Sequence, residues 1–386
     1  MRRLVDAPLF SLGFRPLFLA GAGFAALAIL IWGLWLYGHW FDLQPAGGML
    51  AWHRHEMPFG FAAAIVAGFL LTAVPNWTGI PGVRGGALIA LVSVWLLGRV
   101  AWWLPLPTGL VLALQWGFLP LLAVMLGRDL VAARKRDNYP IVLVLGLMAG
   151  CQVLTLIGLY NDDAGLQRQG VLGALWLVAA LMTVIGGRVI PFFIQRGLNR
   201  PPAPAANPLP TRLLLIGSLL TAVTFTAGLN DSPRLWLAGL FVLTGSLQLM
   251  RLIRWHDRGM WRVPLLWSLY LAYGWMALAI WAMALWHLGL IGQQSLATHA
   301  LAVGGVGGLI LAMIARVSLG HTGRLLKPSK GMVLGFALVL IAAGCRVLLV
   351  PFSILGLGLG LSVVLWCAGF ALFLRHYTGI LLKPRL

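Results

Sequence analysis

The chain has 386 residues, of which 60% are hydrophobic and 10% charged, and it carries a formal net charge of +19. A soluble domain holds about 25% charged residues, so this composition excludes a water-soluble globular protein and indicates apolar segments that cross a bilayer. The positive charge does not indicate a nucleic-acid partner, because the basic residues sit in short loops at alternate span ends, the positive-inside pattern of membrane proteins. The apolar runs mostly lack the strict alternation of an outer-membrane barrel.

Twelve helical runs of about the length a bilayer needs follow one another. They lie near 17–38, 55–75, 86–104, 107–127, 140–160, 170–191, 212–229, 235–252, 264–287, 297–317, 331–350 and 354–374. The expected fold is all-α, a polytopic membrane protein with 1–386 as one integral membrane domain. Residues 1–199 carry six helices, the Pro-rich stretch 200–211 is a stiff cytoplasmic linker, and 212–386 carry the last six. The basic loops 128–136, 195–212, 251–262 and 320–330 and the tail 375–385 fall on the side of the N-terminus. Asp42, Asp162, Asp163 and Asp231 fall on the other, so both termini are expected to be cytoplasmic. Met1-Arg2-Arg3 leads into the first span without a cleavable signal pattern. The eighteen tryptophans suit interfacial anchoring, and Cys151, Cys345 and Cys367 read as small buried residues.

Trp52-His53-Arg54-His55-Glu56-Met57 heads the second span and contains the one glutamate of the chain. Ionisable groups at a membrane boundary are costly, which makes this segment the leading candidate site. If it is helical, His53 and His55 point about 200° apart and cannot chelate one metal. Glu56 then shares a face with His53 and would orient it or relay protons. If the helix begins near Met57, next to Pro58, both rings reach one metal only when the chain bends. Arg54 could pair with a haem propionate or a lipid phosphate. The plainer alternative is a set of interfacial polar residues snorkelling to headgroups.

The topology sorts the other histidines. His39, His287 and His299 join His53 and His55 at outer span ends, while His256, His321 and His376 fall on the cytoplasmic side. His287 ends the ninth span 12 residues before His299, so the two rings could meet across a short loop. The second and tenth spans also echo each other. Gly60 and Gly304 each follow a histidine by five residues, and Thr78-Gly79 and Thr322-Gly323 follow by 23 and 24. Three groups of four helices, the plan of haem-copper oxidases, is the architecture this spacing suggests. Gly304, Gly305, Gly307 and Gly308 strip one stretch of side chains, for close helix packing or for approach of a flat macrocycle. On the cytoplasmic face Arg188, Arg316, His321 and Arg324 suit positive-inside anchoring, with a quinone or anion site as the alternative. No nucleotide-binding fingerprint or nucleophile elbow is present.

Phe10-Ser-Leu-Gly-Phe-Arg-Pro16, the 52–57 segment, Phe69-Leu-Leu-Thr-Ala-Val-Pro-Asn-Trp-Thr-Gly79, Gly186-Gly-Arg-Val-Ile-Pro-Phe-Phe193 and Arg316-Val-Ser-Leu-Gly-His-Thr-Gly-Arg324 together resemble the NnrS family. The resemblance covers essentially the whole chain. It implies a bacterial cytoplasmic-membrane protein containing haem, expected as haem b, and copper, and associated with nitric oxide metabolism and nitrosative-stress tolerance. On that reading His53, His55, His287 and His299 divide between haem iron and copper, Arg54 contacts the cofactor, and Glu56 is the proton relay or orienter. Nitric oxide would be reduced to nitrous oxide with quinol as donor, since the chain has no CxxCH motif of its own. Two alternatives stay open: a twelve-span transporter or metal-handling protein, and a non-catalytic haem protein that binds nitric oxide. Uptake retained in a His53/His55 double alanine variant would favour the transporter.

Overall fold

The computed structural model describes residues 5–39, 42, 44–201, 208–352 and 355–386. Among these residues the protein is 82% helical and has no strand. Eleven helices are long and apolar enough to cross a membrane: α1 (Phe14–Leu36), α2 (Gly48–Thr78), α4 (Thr108–Ala132), α5 (Arg136–Tyr160), α6 (Ala164–Gly197), α7 (Leu209–Thr226), α8 (Leu235–Trp255), α9 (Pro264–His287), α10 (Gln294–His321), α11 (Lys330–Leu349) and α12 (Gly356–Leu382). The shorter apolar helix α3, Gly85–Ala101, lies between α2 and α4. Each of the twelve runs read from hydropathy corresponds to one of these helices. The protein is therefore a polytopic all-α membrane protein. The Pro-rich stretch is mostly residues 202–207, which lie outside the described residues.

The helices fall into two compact units. The first comprises Met1–Ala174, Val317–Leu325 and Phe370–Leu386, and the second comprises Leu175–Arg316 and Leu326–Gly369. The boundaries cut α6, α10 and α12 instead of following the Pro-rich linker. In the first unit Arg15 is buried, and its guanidinium donates to the carbonyls of Leu381 (3.1 Å) and Lys383 (2.6 Å). The start of α1 and the C-terminal tail therefore lie at one end of this unit. The Leu386 N–H donates to the Thr322 carbonyl at 3.1 Å and docks the tail further.

Helix α2 begins at Gly48, seven residues before the hydropathy run. Gly47 stands at φ +73°, a left-handed conformation that glycine adopts at no steric cost, and it opens the helix. The histidine segment is thus helical. From Glu56 to Ala62 the backbone widens into π turns. Pro58 lies in this stretch; it has no N–H to donate and its ring clashes with the carbonyl one turn back, and a wider turn relieves both. Helix α10 repeats the device. His299 ends a short α stretch and Ala300–Gly307 is π-helical. The spacing shared by the second and tenth spans in sequence is thus matched by a shared backbone irregularity.

The glycine stretch after His299 packs tightly. A Cβ at Gly304 would stand 2.4 Å from the Trp275 ring, and one at Gly307 2.3 Å from the Trp366 ring. Gly305 and Gly308 meet Met276 and Ala272 in the same way. The stripe serves helix packing, with protein side chains in the space that each Cβ would take. Gly304→Ala is accordingly expected to destabilise the protein by about 1–3 kcal/mol, the cost of overpacking. Gly239→Ala, where a Cβ meets nothing within 4 Å, should be neutral. Thermal unfolding in detergent measures both; equal melting temperatures would contradict this packing.

Candidate functional site

In the first unit α2, α3, α4 and α5 bring five polar side chains into one buried network. Glu56 is wholly buried and His55, Arg99, Gln115 and Gln152 nearly so. Glu56 Oε1 accepts hydrogen bonds from His55 Nδ1 and Trp102 Nε1, both at 2.8 Å. Glu56 Oε2 forms an ion pair with Arg99 Nε. Arg99 also donates to Gln115 Oε1, and Gln115 Nε2 donates to the Gly98 carbonyl. Gln152 Nε2 donates to the Gln115 carbonyl at 3.0 Å and lies 3.2 Å from His55 Nε2. The chain of contacts closes on itself through Glu56, His55, Gln152, Gln115 and Arg99.

This closure fixes the protonation pattern. A carboxylate can only accept, so His55 Nδ1 carries the proton. Nε2 then holds a lone pair, which accepts from the Gln152 amide. His55 is neutral, and the charge of Glu56 is matched by Arg99. Two glycines make room for this. A Cβ at Gly60 would lie 2.8 Å from Glu56 Oε2, and one at Gly98 3.2 Å from Gln115 Oε1. Trp95 Nε1 donates to the Gly60 carbonyl at 2.9 Å, satisfying a backbone group in the π stretch. The Arg99 guanidinium lies over the rings of Trp95 and Phe24 at 5.6 and 6.0 Å.

Around this centre Trp52, Trp102, Met49 and Ala51 form a core cluster with partly buried Trp32, Trp35 and Trp103. These tryptophans line the network, while Trp116 and Trp236 are among those that remain exposed as anchors. His53 leaves the opposite side of α2 and stacks on Trp32, ring centroids 4.4 Å apart and 8° from parallel. The two histidines therefore meet different partners, as helical geometry requires. Glu56, however, orients His55 and not His53. The three-residue spacing argument assumes regular α turns, and the backbone leaves that geometry at Glu56. Arg54 is half-buried, with Arg168 as its charged neighbour.

The second unit holds His287 and His299. The Arg234 N–H donates to His287 Nδ1 at 3.0 Å, so Nε2 is protonated and donates to Asn230 Oδ1 at 2.9 Å. Both nitrogens are taken by protein groups. His287 stacks on Phe241 and ties the loop before α8 to the end of α9. His299 Nδ1 lies 2.7 Å from the Ser295 carbonyl. A carbonyl only accepts, so Nδ1 is protonated and Nε2 keeps its lone pair. His287 and His299 thus face separate partners and do not meet across their loop. His39, the remaining outer histidine, is exposed.

Residues 8–385 match the family described as NnrS protein. The chain belongs to the NnrS family. This makes it a nitric oxide-associated membrane protein. No curated protein sequence matches the chain.

Haem and copper, which the resemblance implies, can be tested against the donors present. Among the described residues no three His, Cys, Asp or Glu side chains come together as a metal-binding group. His287 has no lone pair to offer, and His55 would have to lose Gln152. The placed residues do not fit a histidine-rich copper centre. One axial bond to haem iron needs a single lone pair on a ring anchored at its other nitrogen, and His299 fits that requirement. Arg99, Gln115, Gln152 and Trp102 were not singled out from sequence. Arg99 carried a signal, a positive charge inside an apolar run at the outer end, against the positive-inside pattern.

Removing one partner of a buried ion pair strands the other charge. Glu56→Gln and Arg99→Gln should each cost about 3–5 kcal/mol. The double variant should be more stable than the sum of the two by about 1–3 kcal/mol. Unfolding in mixed micelles reads both terms, and strict additivity would remove the pair from this account.

Proposed function

We propose that this NnrS-family protein acts on nitric oxide in the bacterial cytoplasmic membrane, reducing it to nitrous oxide with electrons from quinol. The buried Glu56–His55–Arg99 network carries the reading. It sets a carboxylate and an imidazole in contact, away from water, the kind of pair that a reaction consuming protons uses. Two nitric oxide molecules, two electrons and two protons give nitrous oxide and water, so protons must reach a dry site in step with electrons. Bound haem, expected as haem b, would supply the iron that binds nitric oxide and passes electrons, and His299 is the residue whose lone pair suits it.

The side chains themselves can move a proton. One arriving at His55 Nε2, where Gln152 now donates, makes the ring cationic. The proton on Nδ1 then passes to Glu56 Oε1 across the 2.8 Å bond. Trp102 holds that oxygen in place, and Arg99 pairs with the other. In the first unit the start of α1 is bonded to the C-terminal tail, which supports both ends lying on one side of the membrane; the basic loops favour the cytoplasmic side.

A non-catalytic nitric oxide-binding role is the second reading, and the satisfied state of both His55 nitrogens favours it. Nitric oxide consumption and nitrous oxide release, measured with a reduced quinol, separate the two. Wild-type protein should turn over. Folded Glu56→Gln should lose about 10²-fold or more in rate, the contribution of a positioned acid or base, with nitric oxide binding retained. A wild-type rate in Glu56→Gln ends the relay. Stoichiometric binding without nitrous oxide leaves only the second reading.

A further inference from the structure

The histidines heading the two π stretches are built alike but are not balanced alike. In the first unit His55 is followed by Glu56, and Arg99 from the next helix pairs with that carboxylate. In the second unit His299 is followed by Ala300, and Arg346 from the next helix reaches the histidine. The position that supplies the carboxylate in one unit holds a methyl group in the other.

The Arg346 contact does not satisfy the arginine. Its NH2 lies 3.3 Å from His299 Nδ1, the nitrogen that donates its own proton to the Ser295 carbonyl at 2.7 Å. N–H therefore faces N–H. Among the described residues its NH1, a buried atom, has no hydrogen-bond partner. An arginine that only snorkels to headgroups keeps its nitrogens in the polar layer, whereas this one seals a nitrogen away. A half-buried guanidinium with one nitrogen sealed away and no acceptor for it is costly, and its two terminal nitrogens form the fork that matches a planar oxyanion.

We propose that Arg346 and His299 form a binding site for a planar oxyanion, a carboxylate or nitrite, that takes the place filled in the first unit by the Glu56 side chain. Bridging NH1 and NH2, the oxyanion gives both nitrogens an acceptor and turns the guanidinium from the imidazole N–H. The source is a free anion or the carboxylate arm of a haem propionate, and the haem source rests on the proposed function. The free-anion source does not.

Calorimetric titration of nitrite and of acetate into the full-length protein in detergent, with no nitric oxide present, tests the site. Protein from haem-replete and haem-deficient cells is compared. Saturable binding to both preparations assigns a free anion, and binding to the haem-deficient preparation alone assigns the propionate. Arg346→Gln should weaken binding about tenfold or more, as loss of charge-assisted hydrogen bonds does. Ala300→Glu, which restores the carboxylate of the first unit, should abolish binding and raise the melting temperature. Should Ala300→Glu not fold, Arg346→Gln and the weaker loss expected of Arg346→Lys decide the matter. No binding to either wild-type preparation, or unchanged affinity in Arg346→Gln, overturns the site. Nitric oxide turnover is measured separately, so anion binding without turnover sinks the proposed function and leaves this site standing.

Discussion

A carboxylate and a guanidinium placed away from water in an apolar protein must find each other. Each ion costs several kcal/mol to desolvate even after relaxation, and the pair recovers this only when geometry is good and the remaining lone pairs and protons are bonded. The Glu56–Arg99 pair draws four more groups into its network. His55 and Trp102 hold one oxygen of Glu56, while Gln115 takes the free edge of Arg99 and Gln152 joins Gln115 to His55. Helices α2 to α5 of the first unit therefore have a polar reason for their register besides apolar packing. A slip of one turn in α2 or α3 would strand a charge, and one in α4 or α5 a buried amide.

The backbone is shaped to the same end. The π stretch starts at Glu56, and Gly60 lets the carboxylate lie across the next turn, where any side chain would collide with it. Wider turns expose backbone groups, and Trp95 satisfies the one at Gly60. The second unit keeps the histidine, the π stretch and an arginine from the following helix, with alanine where the acid stands. One device has its carboxylate, and among the described residues the other is short of an acceptor. This difference separates a closed proton-holding network from a site open to a ligand.

Some of this was legible in the residues. The segment 52–57 stood out because a lone glutamate with two histidines at a span boundary has few cheap explanations. Helical geometry alone separated the partners of His53 and His55. The spacing echo between His55 and His299 foreshadowed the shared π stretches. The assignment of Glu56 to His53 failed because hydropathy and spacing carry no sign of where α turns widen. The gathering of outer histidines was legible only as a condition, that their spans be neighbours. A common depth in the membrane says nothing about which helices are neighbours, and His287 proved to be bonded to Asn230 and Arg234 in its own unit.

By itself the sequence determined the class, the number of helices and the candidate glutamate, because bilayer thickness and the cost of charge in hydrocarbon act on single segments and can be read locally. Tertiary structure alone decided which arginine neutralises Glu56, which histidine it orients, and which histidine keeps a lone pair. Those choices depend on side chains from helices distant in sequence meeting within hydrogen-bond range. No local pattern encodes such meetings; packing brings Arg99, Gln115 and Gln152 to one carboxylate and leaves Arg346 without one.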